Sequence, residues 1–154
     1  MRLLQIKRYL SFIPLIDGVY VDACCRDGKS GLGIVAVKDN RMVEAIYIPT
    51  AKCPINDRLE LQAIRWAKVI YPNQMVYSDN LWAVERYNSL TPEQVTWIPN
   101  DFNGLAHMLA YGHPAMLDDR ITGKKTFTEG QLSIKYGVEI PPLDIPQRWK
   151  NKLK

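Results

Sequence analysis

Three acids in this chain stand among residues that rarely accompany a carboxylate. Asp22 closes the apolar run Val19-Tyr20-Val21, and Asp79 follows Met75-Val76-Tyr77-Ser78. Glu60 sits inside Asn56-Asp57-Arg58-Leu59-Glu60-Leu61. A carboxylate in apolar surroundings is costly unless a cation or hydrogen-bond donors balance it. Several converging on one point raise each other's pKa, and a divalent metal ion reverses that penalty. Hard oxygen ligands of this type select Mg2+ or Mn2+. Two such ions would activate a water and neutralise the leaving oxygen of a phosphodiester. Taken singly, each acid also has a plainer reading: a strand-end Asp as a turn or cap residue, and a helical Glu as a solvated one.

Strands and a helix must bring these acids together. Val19 to Cys25 reads as a strand, with β-branched and aromatic residues alternating around Asp22. Arg26 to Gly31, containing Asp27-Gly28, is a hairpin signal. Leu32 to Lys38 is the second strand, and Asp39-Asn40 turns the chain into a third, Met42 to Ile48, which completes an antiparallel meander. The spacing predicts a helix over Pro54 to Ile70. Leu59, Ala63, Trp66 and Ile70 share one stripe, while Glu60, Ile64 and Ala67 form an adjoining one. Then come a strand (Gln74 to Ser78), a helix (Asn80 to Tyr87), a strand (Gln94 to Ile98) and a helix (Asn103 to Tyr111). With right-handed crossovers this order predicts an α/β fold. Its mixed five-stranded sheet has three antiparallel strands, then two parallel ones, flanked by helices. Asp22 and Asp79 then lie on neighbouring strands, with Glu60 within reach from the packed helix.

Composition bounds the rest. A chain of 154 residues with 47% hydrophobic content can bury one substantial core, and 23% charged residues give no sign of wholesale disorder. The net charge of +4 permits a polyanionic partner without demanding one. Three cysteines, two of them adjacent, make a poor disulfide framework and suit a reducing compartment. Cys24, Cys25 and Cys53 with His107 or His113 lack the paired spacing of a zinc site, so buried cysteines are expected. Trp66, Trp82 and Trp97 occupy core-like positions. Residues 1–16 read as a packed N-terminal arm, because the apolar run ending at Ile16 is short and contains Pro14. No stretch approaches the roughly 20 apolar residues of a membrane span, and the expected location is cytoplasmic. Residues 112–154 read as a basic, Pro-containing C-terminal appendage. It would hold one helix over Gly130 to Tyr136, capped by Thr126 and Glu129. Basic residues gather at Lys124 and Lys125 and in the last seven residues, which include Arg148 and Lys150. Such groups either track phosphates or merely solubilise the chain end.

The order strand-Asp, helix-Glu, strand-Asp leads into Trp97-Ile98-Pro99-Asn100-Asp101-Phe102-Asn103-Gly104-Leu105-Ala106-His107-Met108-Leu109-Ala110. Over roughly residues 17–111 this pattern resembles the type 1 ribonuclease H family. The resemblance implies a metal-dependent endonuclease that hydrolyses the RNA strand of RNA–DNA hybrids, leaving 5′-phosphate and 3′-hydroxyl ends. It implies two ions, Mg2+ or Mn2+, held by Asp22, Glu60, Asp79 and position 107, which form the catalytic set. Asp22 would bridge the ions, Glu60 and Asp79 would hold the leaving-group ion, and position 107 would face the nucleophile-side ion. Asn56, Arg58 and Asn80 fall at substrate-contacting positions, although Asn56 reads equally well as a helix N-cap. Lys124, Lys125, Arg148 and Lys150 would add phosphate contacts.

Departures from the family pattern are specific. The family's fourth acidic ligand is replaced by His107, which removes one negative charge and predicts a shift towards Mn2+. Asp101 stands where relatives with a mobile loop carry a histidine, and the short Asn88–Glu93 segment lacks the basic insertion of some members. Two further readings share the fold: a non-catalytic nucleic-acid-binding or scaffold module, and a junction resolvase. The expected partners are an RNA–DNA hybrid and proteins of replication or reverse transcription, with the chain itself a monomer.

Overall fold

The computed structural model describes residues 16–26, 29–50, 55–111 and 124–143. Strands β1 (Gly18–Arg26), β2 (Lys29–Lys38) and β3 (Arg41–Thr50) form the expected antiparallel meander. Asp39 and Asn40, both at positive φ, make the tight β2–β3 turn. These two residue types tolerate that conformation, and its twist matches the flanking strands. The chain continues through α1 (Asn56–Ile70), β4 (Val76–Ser78), α2 (Leu81–Leu90) and β5 (Thr96–Trp97). A single 3-10 turn (Asn100–Phe102) leads into α3 (Gly104–Ala110), and β6 (Lys124–Thr126) and α4 (Glu129–Tyr136) follow.

The sheet order is β5-β4-β1-β2-β3-β6, with β4 parallel to β1 and β5 parallel to β4. The predicted α/β architecture is therefore present, with one strand more than expected. Lys124–Thr126 pairs in parallel with Ala45–Tyr47 and covers the outer edge of β3, an edge that would otherwise expose unpaired main-chain groups. This strand also moves the predicted cap. Thr126 is paired with Tyr47, so Thr128 takes the N-cap position and forms a capping box with Gln131.

Alternation along β1 divides the core into two layers. Val19, Val21 and Ala23 pack with α1, while Tyr20 packs with Leu105, Ala106, Met108 and Leu109 of α3. The two-residue period therefore turns Asp22 towards α3. Helix α1 is buried almost all round, from Leu59 to Ile64 and at Trp66 and Ala67. One reason is the segment 129–143. Leu132 joins the α1 layer, Glu129 accepts from the Trp66 indole at 3.2 Å, and the Pro141 carbonyl accepts from Gln62 at 2.6 Å. The described part of the expected appendage is thus built into the fold. The hairpin tip at Asp27-Gly28, the arm before residue 16 and the basic tail lie outside the described residues.

Gly33 connects the fold to the acids. It is the register partner of Asp22, and a Cβ there would lie 2.7 Å from the Ala106 carbonyl oxygen and 2.8 Å from the Ala110 nitrogen. Only glycine lets α3 settle this close to β2 beside Asp22. No described helix is long and apolar enough to cross a membrane.

Candidate metal centre

Strand β4 ends at Ser78, paired with Val21, so the parallel register carries Asp79 alongside Asp22. Strand β1 runs on beyond that point. Its main chain there is open to α1, and the Ala23 N–H donates to Glu60 Oε1 at 3.3 Å. The Asn56 amide donates to the same oxygen at 3.3 Å, one helical turn earlier. Glu60 thus reaches round the end of β4 to meet Asp22. One carboxylate oxygen from each of Asp22, Glu60 and Asp79 lies within 4.8 Å of the others. The three face an open cleft of about 280 Å3, also lined by Ala23, Asn56, Asn80, Asn100, His107 and Tyr111.

The electrostatics are those of a site lacking positive charge. Asp22 and Glu60 are each only 3% exposed. Burial, then the charges of Asp22 and Asp79, push the Glu60 pKa well above the usual carboxylate range. Asp79 is raised to about 6, first by burial and then by Asp22, against the opposing effect of a hydrogen bond from Asn103. Among the described residues Glu60 Oε2 is buried without a hydrogen-bond partner. Three converging carboxylates, one of which carries an unpartnered oxygen, suit a divalent cation, which would remove the repulsion that raises these pKa values. Asp22, Glu60 and Asp79 thus form a group able to hold a metal ion.

His107 stands beside this group, bonded to it. Its Nδ1 is 2.8 Å from Asp22 Oδ2, and that bond, opposed by burial, raises the imidazole pKa. The ring packs on Tyr111 with centroids 4.2 Å apart. When Nδ1–H donates to Asp22, Nε2 carries the lone pair with which an imidazole binds a metal.

The expected substrate residues divide. Asn56 lines the cleft and supports Glu60. It does not cap α1, because Ile55 holds the cap position. Asn80 also lines the cleft, but it caps α2 by accepting from the Ala83 N–H at 2.9 Å and donates to Asp57 at 2.8 Å. Arg58 lies over the Trp82 ring, 4.3 Å from its centroid. Lys125 pairs with Glu44 at 3.1 Å. It and Lys124 belong to β6, three strands from β1 and so about 14 Å away across the sheet. The structure does not bring those lysines to the acids. Arg148 and Lys150 lie outside the described residues. Trp66 is buried as expected, but Trp97 is 45% exposed, because β5 is an edge strand and its indole N–H turns to the Asp79 carbonyl at 3.1 Å. Cys24 is buried, Cys25 is partly so, and neither belongs to a metal-binding group among the described residues.

Three cleft neighbours escape a motif-based reading: Asn100, Tyr111 and Asn103. Asn100 and Tyr111 line the cleft. Asn103, 1% exposed, donates from Nδ2 to the Val21 carbonyl at 2.8 Å. Its sequence signal, an Asn before Gly at a helix start, reads as a cap, yet its side chain makes no cap bond.

The chain matches no protein-family model, and no curated protein is significantly similar to it in sequence.

Proposed function

We propose that this protein is a metal-dependent nuclease of ribonuclease H type that hydrolyses the RNA strand of RNA–DNA hybrids. The observation that carries this reading is the convergence of Asp22, Glu60 and Asp79, from β1, α1 and the end of β4, on one open cleft. The motif order in the sequence supports it independently. Mg2+ or Mn2+, two ions in this reading, would supply Lewis-acid stabilisation of the phosphodiester and a nucleophilic water when bound. The chain's own residues do the positioning. Ala23 N–H and Asn56 fix Glu60, and α3, seated on Gly33, holds His107 against Asp22. Asn56 and Asn80 place amide groups at the cleft wall, the chemistry that reads 2′-hydroxyls and base edges in the wide minor groove of an A-like duplex.

A non-catalytic binding module is the second reading, and the His107–Asp22 contact favours it. A protonated imidazole there takes the place of a cation beside Asp22. Labelled hybrid, duplex DNA, duplex RNA and a four-way junction, each with Mg2+ or Mn2+, separate the possibilities. The expected result is cleavage of the hybrid's RNA strand, with Mn2+ at least as effective as Mg2+. His107→Asp should move that preference towards Mg2+, since it restores a hard, charged ligand. Metal binding without cleavage of any substrate would favour the binding module, and cleavage confined to the junction would make it a resolvase. If wild type, His107→Asp and His107→Ala share one metal preference, His107 is a bystander.

A further inference from the structure

We propose that Tyr111 is a positioning residue for His107: its ring, packed on the imidazole, holds the orientation in which Nδ1 stays on Asp22 and Nε2 is the nitrogen offered to a metal ion. The inference rests on the metal-site reading above. Nδ1 lies 2.8 Å from Asp22 Oδ2, but one hydrogen bond fixes a single point of the ring. The torsion that turns an imidazole about its Cβ–Cγ bond is broad and roughly two-fold, so it does not choose between the two ring orientations. Half a turn would take Nδ1 off Asp22 and set a carbon there instead. The Tyr111 ring opposes that rotation, with centroids 4.2 Å apart and planes inclined by 38°.

The chain builds the pair as one unit. Tyr111 comes four residues after His107, the spacing that puts two side chains on one face of a helix. Its N–H donates to the His107 carbonyl at 3.0 Å and so closes the last turn of α3. Gly33 is the register partner of Asp22, and the atoms of α3 nearest to a Cβ there are the Ala106 carbonyl oxygen and the Ala110 nitrogen. Those two residues immediately precede His107 and Tyr111. One contact between α3 and β2 therefore sets both rings relative to Asp22. Packing for its own sake accounts poorly for Tyr111. It is 38% exposed, belongs to neither core layer, and lines the cleft together with His107.

Mn2+ binding by calorimetry on the full chain, and the NMR signals of the His107 ring nitrogens in protein with isotope-labelled histidine, test the proposal. The chain's other histidine, His113, is assigned with His113→Gln. Tyr111→Phe keeps the ring and should bind Mn2+ like wild type. Tyr111→Leu fills space without a flat ring, and Tyr111→Ala leaves it open. Both are expected to weaken Mn2+ binding by roughly 10- to 100-fold, the range for losing a group that orients a metal ligand. In metal-free, neutral imidazole, wild type should show Nδ1 protonated and Nε2 bare, and the two variants without the ring should show the tautomers mixed. With His107→Ala already in place, Tyr111→Ala should cost no further affinity, because Tyr111 acts through the imidazole. Wild-type affinity or unchanged ring signals in Tyr111→Leu would overturn the proposal, as would an equal loss from Tyr111→Ala with and without His107. A loss in Tyr111→Phe as large as in Tyr111→Leu would place the effect in the hydroxyl and overturn it too. If Tyr111→Ala does not fold, the same cycle is read with Tyr111→Leu. A wild-type protein that binds no Mn2+ would overturn the metal-site reading itself, and this inference with it.

Discussion

Asp22→Asn, Glu60→Gln and Asp79→Asn are each expected to reduce hybrid cleavage by at least about 10²- to 10³-fold, the loss typical when one preorganised electrostatic contact leaves a reacting site. Each change keeps the shape of the side chain and removes its charge. Glu60→Gln retains a carbonyl oxygen for the Ala23 N–H and the Asn56 amide, and Asp22→Asn retains one for the His107 ring. The fold therefore has no reason to fail. Metal-free protein should in fact gain stability, because three mutually repelling acids become two. Cleavage rates on labelled hybrid, with thermal melts in EDTA, make the comparison. Wild-type-like cleavage by Asp22→Asn or Asp79→Asn, with metal binding unchanged, would sink the site.

The acids were legible in the sequence because each interrupts an apolar segment whose period was clear. The β1 alternation, the stripe of α1 and the short run before Asp79 set both the elements and the sheet order. What the sequence hid depends on contacts between distant segments. Strand β6 is Lys-Lys-Thr, with no alternating apolar pattern to betray it, and it exists because the edge of β3 needs a partner. Helix α4 places one buried residue, Leu132, in the core, too little periodicity to show that 129–143 covers α1. The tryptophans were harder still, since burial of Trp66 and exposure of Trp97 follow from sheet order and not from local composition. His107 could be placed at the site by motif position, but not its attachment to Asp22, which requires Gly33 to admit α3. The buried bond of Asn103 to the Val21 carbonyl is not legible locally, because helix caps and buried bridges use the same residue type.

In EDTA, thermal stability is expected to fall as pH rises from about 4 towards neutrality and beyond, and saturating Mn2+ should flatten or reverse that slope. Asp79 titrates near 6 in the fold against an ordinary value of 3.8. Glu60 is displaced in the same direction, well above its ordinary 4.5. A group whose folded pKa is raised favours the fold while protonated in both states, and that contribution is lost as pH rises through the folded value. The Asp79 contribution thus fades between about 4 and 6, and that of Glu60 from its ordinary range to higher pH. His107 adds to the same trend, because its bond to Asp22 raises its pKa and the protonated form is lost above that value. All three groups therefore act in one direction. A divalent ion binds the deprotonated acids, so its stabilisation grows with pH where theirs declines. Melting temperatures from about pH 4 to 8, with EDTA or Mn2+, give the two slopes. Two parallel curves would mean that the ion does not bind at Asp22, Glu60 and Asp79. A metal-free curve that rises across this range would show that the acids are not held together as the structure places them.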